Sequence, residues 1–286
     1  MTTLVRRAAA LCALAASSLA LAACGSTEPG EAPRPAPSAP SASAAAPSRP
    51  PTLAPGPAGL TPVFEHGPRA DGRTVALTFD ADMTADQGPR AAAGERFDNP
   101  GLIATLRKLE VPATVFMTGR WAEEYPDAAR SIGQDPRFEI ANHSYSHYAF
   151  TDDCYGLPTV PEERMRSDVE RAYAAFREAG VPDPMPYFRF PGGCYDKAAL
   201  KALTAAGVTA VQWDVVSGDA FATDADAVAR QVLDGVKPGS VVVMHCTRSA
   251  APVTEEAVRT IVPELRKQGY RFVKVSELIG AANGRR

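Results

Sequence analysis

The chain has 286 residues, with 30 Lys and Arg against 33 Asp and Glu and a formal net charge of -3 at pH 7. So small an imbalance, with no basic stripe interleaved with aromatics, argues against nucleic acid as a partner. At 45% hydrophobic residues the chain is long and apolar enough to bury a sizeable core, and no internal repeat is apparent.

Arg6 and Arg7 precede an Ala/Leu-rich stretch that ends in Leu21-Ala22-Ala23-Cys24, followed by Gly25-Ser26. The apolar segment is shorter than the ~20 residues that span a bilayer, and small residues flank its end. Residues 1–24 are therefore expected to be a signal peptide with a lipobox. Its Cys24 would become the lipidated first residue of an extracytoplasmic lipoprotein anchored to the cell membrane. An ordinary signal peptide with a chance cysteine is the alternative. Residues 25–59 are mostly Pro, Ala and Ser, as in Pro33-Arg34-Pro35-Ala36-Pro37. With few large apolar side chains to offset backbone ordering, they are expected to form a disordered, semi-extended tether. Residues 60–286 have the size of one domain.

Within that domain, short apolar runs alternate with helical patterns, which predicts βα units around a parallel sheet or barrel. Val75–Phe79 reads as a strand ending at Asp80, Leu102–Leu109 as a short helix, and Ala113–Met117 as the next strand. Phe138–Ala141 leads into a histidine pair; Glu162–Ala179 is helical and is stopped by Gly180. Tyr187–Phe190 reads as a strand, Lys197–Ala206 as a helix and Val208–Asp214 as a strand. The alternation continues through Asp224–Val236, Ser240–Met244, Thr254–Gln268 and Arg271–Val275. In such folds chemistry gathers where strands finish, and Asp80, Asp82, His143, Arg189, Asp214, Asp219 and His245 all fall at or just after predicted strand ends.

Two of the four histidines stand in Asn142-His143-Ser144-Tyr145-Ser146-His147. Spacing of i, i+4 places both imidazoles on one face of a helical turn, where they can bind one divalent ion. HxxxH alone is weak, since a structural or surface pair has the same pattern. The metal reading gains from an Asp pair, an Arg-x-Pro-Gly-Gly turn and a further histidine, each at the end of an apolar run.

Thr78-Phe79-Asp80, His143-Ser144-x-x-His147, Arg189-x-Pro191-x-Gly193, Trp213-Asp214 with Asp219, and Met244-His245 occur in the order and rough spacing of five motifs. In this the chain resembles the polysaccharide deacetylases, carbohydrate esterase family 4 or NodB-homology domain, over roughly residues 72 to 280. The resemblance implies an α/β fold, a distorted (β/α) barrel with fewer than eight strands, and metal-dependent removal of N-acetyl or, less often, O-acetyl groups from a sugar polymer. A divalent ion, Zn2+ for preference, held by His143, His147 and Asp82 would leave positions open for a water and the acetyl carbonyl. Asp80 would be the general base and His245 the general acid. By the same resemblance Arg189 orients the base, Asp219 holds the acidic histidine, and the backbone N–H of Gly192 occupies the oxyanion-donor position.

Two departures from the family pattern bear on this reading. Ala81 separates Asp80 from Asp82, where the family usually has adjacent aspartates; on an extended strand i and i+2 point the same way, so both carboxylates can share the pocket. The alternative is a lost ligand, with Asp82 a loop carboxylate. Ala220 and Phe221 stand where the family commonly has a Trp that walls the acetyl pocket, and Phe221 or Trp121 could replace its packing. Of five cysteines, Cys154, Cys194 and Cys246 remain in the domain, and the sequence does not choose a pairing. His66 reads as a surface residue. The expected protein is a monomeric, membrane-tethered hydrolase of amide bonds in N-acetylglucosamine-containing glycan, peptidoglycan first and chitin-type oligosaccharide second. An O-acetyl xylan esterase and an inactive envelope-binding lipoprotein are the competing readings.

Overall fold

The computed structural model describes residues 49–70 and 72–284; the predicted signal peptide, Cys24 and most of the predicted tether lie outside the described residues. Among the described residues nine strands form one sheet in which every strand pairing is parallel. They are β1 (Val63–Phe64), β2 (Thr74–Ala81), β3 (Ala113–Met117), β4 (Phe138–Asn142), β5 (Tyr187–Phe188), β6 (Thr209–Val211), β7 (Val215–Val216), β8 (Ser240–His245) and β9 (Arg271–Phe272). Their order is β1-β6-β5-β4-β3-β2-β8-β7, with β9 on β2. The helices are α1 (Gly88–Ala92), α2 (Pro100–Lys108), α3 (Gly119–Glu124), α4 (Pro126–Gly133), α5 (Glu162–Glu178), α6 (Lys197–Ala202), α7 (Ala225–Gly235), α8 (Thr254–Lys267) and α9 (Val275–Asn283).

One stretch of chain closes the sheet. β6 pairs with β5, and β7, only three residues later, pairs with β8, so residues 209–216 touch both ends of the strand order and curl it into the expected distorted barrel. The predicted single strand Val208–Asp214 is thus two short strands. Asp214 lies in the break, where its carboxylate accepts from Arg69 at 2.7 Å, Ser240 Oγ at 2.8 Å and the Val241 N–H at 2.7 Å. Those partners mark the start of β8, so Asp214 belongs to the end of the barrel away from His245. It pins the seam rather than the chemistry.

Period-two alternation along β2 decides which side chains face the barrel interior. Leu77, Phe79 and Ala81 pack in the large core cluster with residues of α2, α7 and α8, whereas Ala76 packs inside with Phe116, Ala141, Tyr187, Val211 and Val241. Thr78 and Asp80 share the face of Ala76. Both faces are covered, which is why β3 and β4 are buried throughout rather than alternating.

Most helices follow the sequence reading with ends moved by a residue or two. Asn99 starts α2 by accepting from the Leu102 N–H at 3.0 Å, with Pro100 in the first turn. The predicted strand Arg271–Val275 is cut to two residues because Val275 opens α9, whose Val275, Leu278 and Ile279 pack on the inner barrel cluster. The ordered domain also begins before residue 60: Leu53 packs on the barrel, its N–H donates to Thr209 Oγ1 at 3.1 Å, and the Tyr187 hydroxyl donates to the Pro51 carbonyl at 2.7 Å.

Candidate active site

His143 and His147 follow β4 in a loop, not a helical turn. Ser144 at φ 67° and His147 at φ 54° turn the backbone through the left-handed region, and this fold-back, not helical periodicity, sets the ring centroids 4.9 Å apart. Several contacts hold the loop. Asn142 Oδ1 accepts from the Ser144 N–H at 2.8 Å, Ser144 Oγ from the His147 N–H at 2.9 Å, and Asp168 on α5 from the Tyr145 N–H at 2.7 Å. His143 Nδ1–H donates to the Arg189 carbonyl at 2.9 Å, a bond that leaves the Nε2 lone pair free to bind a cation. Burial pushes His147 down to about 4 against the pull of Asp82, so its ring is neutral at neutral pH.

Both aspartates of Asp80-Ala81-Asp82 reach this pair. Asp80 Oδ2 lies 3.7 Å from His143 Nε2, and Asp82 Oδ2 lies 3.8 Å from His147 Nε2, while Ala81 points into the core between helices. Asp82 follows the end of β2, and its carboxylate faces the same pocket as that of Asp80, the arrangement that i, i+2 spacing predicts. Asp82 Oδ1 accepts from the Thr247 hydroxyl, and the Asp82 N–H donates to Thr247 Oγ1 at 3.0 Å. Burial would raise the Asp82 carboxyl, but His147, His245, His143 and the Thr247 hydroxyl outweigh it and hold the group below its ordinary value. Thr247 escaped the sequence reading, although His245-x-Thr247 repeats the i, i+2 spacing that places Asp82.

Asp80 is tied to Arg189, whose side chain is fully buried. The guanidinium donates to Asp80 Oδ1 at 2.6 Å and to the Val211 carbonyl at 3.2 Å, and it lies 3.9 Å above the Phe116 ring. Asp80 and His245 are direct partners in the β2–β8 register, so the two groups assigned to proton transfer start from adjacent points on neighbouring strands. His245 Nδ1–H donates to Asp219 Oδ1 at 2.8 Å, and its backbone N–H donates to Asp219 Oδ2 at 2.7 Å. Ser217 Oγ and Thr254 Oγ1 complete the shell of this buried carboxylate at 2.8 and 2.7 Å. Burial favours the neutral imidazole, yet Asp219, with Asp82 and Asp80 behind it, pushes His245 up to about 10.

Gly192 sits in the turn after Arg189 at φ 65°, and a β-carbon there would meet Cys154 Sγ at 2.6 Å. The disulfide joins Cys154 to Cys194, leaving Cys246 free and buried, its thiol pushed up to about 12 by burial. Trp121 does not wall the site: it is buried with its indole N–H donating to the Phe97 carbonyl at 2.6 Å. Phe221 lies at the groove mouth, exposed rather than packed as a wall.

Two donors bound to one ion at ~2.0–2.2 Å stand at most ~4.4 Å apart, and the 3.8 Å between His147 Nε2 and Asp82 Oδ2 is within that limit. Among the described residues no three such side chains close into a finished cage. The donor chemistry nonetheless fits a divalent cation: two imidazoles, one kept neutral by burial and one oriented through its Nδ1–H, and a carboxylate held ionised.

Carboxylates facing imidazoles at the C-terminal end of an all-parallel barrel stand where β/α-barrel enzymes carry their chemistry. Residues 67–211 match the family model for polysaccharide deacetylase, and the chain belongs to that family. It is 29% identical over 209 residues to a peptidoglycan-N-acetylglucosamine deacetylase of Bacillus cereus, covering 72% of this chain and 88% of that one. It is 26% identical over 225 residues to a chitooligosaccharide deacetylase of Bradyrhizobium sp., covering 74% and 94%. Among solved structures it resembles the Bc1960 peptidoglycan N-acetylglucosamine deacetylase, with a TM-score of 0.62, 28% identity, and coverage of 76% and 92%.

Proposed function

We propose that this polysaccharide deacetylase removes N-acetyl groups from N-acetylglucosamine residues of an envelope glycan, peptidoglycan first and chitin-type oligosaccharide second. The observation that carries the reading is the direct register pairing of Asp80 with His245, beside the donors Asp82, His143 and His147. Relatives that bear the names of peptidoglycan and chitooligosaccharide deacetylases support the substrate class.

Asp82, His143 and His147 would hold a divalent cation, zinc for preference, which when bound would supply Lewis acidity at the acetyl carbonyl and the attacking water. Asp80, fixed by Arg189, accepts the proton of that water as its oxygen bonds to the acetyl carbon. The Gly192 N–H would donate to the oxygen that gains charge, a role carried over from the family's third motif that needs no side chain. His245, held by Asp219, donates its Nε2 proton to the amide nitrogen as the C–N bond breaks. The products are acetate and a free amine on the sugar.

The test is acetate release by the full chain from N-acetylglucosamine oligomers and peptidoglycan, compared with acetylated xylan. Release from the N-acetylated substrates is expected, together with loss of activity on chelation and about one divalent ion per chain by elemental analysis. Release from xylan alone would make the protein an esterase, and an active preparation without bound metal would end the metal assignment.

A tether that limits reach to the envelope accounts for peptidoglycan as first substrate, and on this reading the protein is a membrane-anchored lipoprotein that acts as a monomer. Cells fed a clickable fatty acid should label the wild-type protein, and Cys24→Ser should erase the label. Unlabelled protein released freely into the medium would remove the anchor from the proposal.

A further inference from the structure

Among the described residues, the exposed large hydrophobic side chains are Tyr155, Val216 and Phe221, and the two aromatics are the most exposed at 87% and 83%. Both stand in left-handed backbone, Tyr155 at φ 51° and Phe221 at φ 59°, a conformation that bulky residues adopt only where the surroundings enforce it. Each is attached to a different part of the site. Phe221 follows Asp219 by two residues, in a turn closed by the Ala222 N–H on the Asp219 carbonyl at 3.1 Å, and its own N–H donates to the Ala250 carbonyl at 2.6 Å. Tyr155 follows Cys154, whose disulfide to Cys194 straps its loop onto the turn that contains Gly192. A β-carbon at Gly192 would lie 3.3 Å from the Tyr155 ring and 3.5 Å from Leu157, so that loop lies directly against the glycine.

The groove between these attachments is small. Asp82, His147, Thr247, Leu157 and Phe221 line a volume of about 210 Å³. Pockets that enclose a drug-sized ligand run to ~300–1,000 Å³. Asp80, His143 and His245 are not part of the groove's lining, and a groove of this size does not enclose the units of a sugar chain. Two exposed aromatic rings stand on the two attachments, Phe221 in the groove's lining and Tyr155 next to Gly192 in the loop of Leu157, which also lines the groove. A pyranose presents a face of polarised C–H groups, which the negative face of an aromatic ring attracts.

We infer that Tyr155 and Phe221 are stacking platforms for sugar units flanking the acetylated residue, and that they set the preference for a chain over an isolated sugar. The inference rests on the deacetylase reading above. The strap through Cys154 and Cys194 fixes where the Tyr155 ring stands, and the absence of a side chain at Gly192 makes room for it.

The experiment compares the full-length wild type with Tyr155→Ala, Phe221→Ala, Tyr155→Phe and Phe221→Trp on two probes, penta-N-acetylchitopentaose and 4-nitrophenyl acetate. Removal of either ring should raise KM for the pentamer by roughly two- to tenfold, while in Tyr155→Ala, whose ring is not part of the groove's lining, kcat on the small ester stays unchanged. Tyr155→Phe and Phe221→Trp should restore the pentamer KM. An unchanged pentamer KM in both alanine variants overturns the inference, as does an equal loss on the two probes in Tyr155→Ala. If wild type releases acetate from neither the pentamer nor peptidoglycan, the deacetylase reading fails; wherever the pentamer is not turned over, stacking is read from its calorimetric affinity. Weaker pentamer binding by the alanine variants supports the platforms; equal binding, or none by wild type, overturns them.

Discussion

Asp80→Asn is expected to lower turnover by about 10²–10⁴-fold, the usual contribution of a general base, while the cation stays bound. The amide keeps an oxygen that can accept from Arg189 Nη1, now 2.6 Å from Asp80 Oδ1, so the guanidinium retains a partner. What the amide lacks is the basicity to take a proton from water. Some stability should also be lost, because Arg189 is fully buried and removing one charge of a buried pair typically costs about 3–5 kcal/mol; a thermal melt separates that loss from the kinetic one. Asp82→Asn should fail in a different order. Its oxygens face His147 Nε2 and the Thr247 hydroxyl rather than the guanidinium, so metal affinity should fall first and activity should return as metal is added. Dialysis against graded chelator, with metal content and acetate release measured on the same samples, distinguishes the two. Tight metal in Asp82→Asn and metal loss in Asp80→Asn would reverse the roles.

The sequence exposed those two aspartates because their spacing carries physical content. Asp-x-Asp at a strand end predicts a shared pocket, and the burial of Ala81 on the opposite face with Leu77 and Phe79 shows why the intervening residue is apolar. His143 and His147 meet for a reason other than the one their spacing suggests. Helical periodicity brings i and i+4 together, but so does a loop with two left-handed residues, and nothing in Ser144 or His147 announces positive φ. Asp214 shows the converse limit. It follows an apolar run as the site residues do, yet the run breaks at the barrel seam, and only the pairing of β7 with β8 shows which end of the barrel it occupies. Short elements were also illegible: α3 and α4 have six and eight residues, too few for a 3.6-residue period to stand out. The disulfide partner depended on the fold of a loop whose sequence gives no register.

Changing Asp219 to Asn should move the alkaline limb of the rate profile to lower pH, and His245→Ala should abolish most turnover with far less effect on metal content. In a bell-shaped profile the acidic limb reports the base and the alkaline limb the acid. Burial alone would make His245 a neutral ring at working pH; Asp219, 2.8 Å from its Nδ1, reverses that and brings the imidazolium up to about 10. A cation held by the neighbouring donors would repel the imidazolium and set the limb of the loaded enzyme below that value, but its dependence on Asp219 keeps the same sign. Stability supplies a second readout. A pKa raised on folding gives stabilisation that is full below the unfolded value of ~6.5 and is lost as pH climbs through the folded one near 10. The wild-type melting temperature should therefore fall across that window, and the fall should shrink in Asp219→Asn because its His245 titrates closer to the unfolded value. An alkaline limb that does not move in Asp219→Asn, or near-normal deacetylation by His245→Ala, would mean that another group protonates the leaving amine.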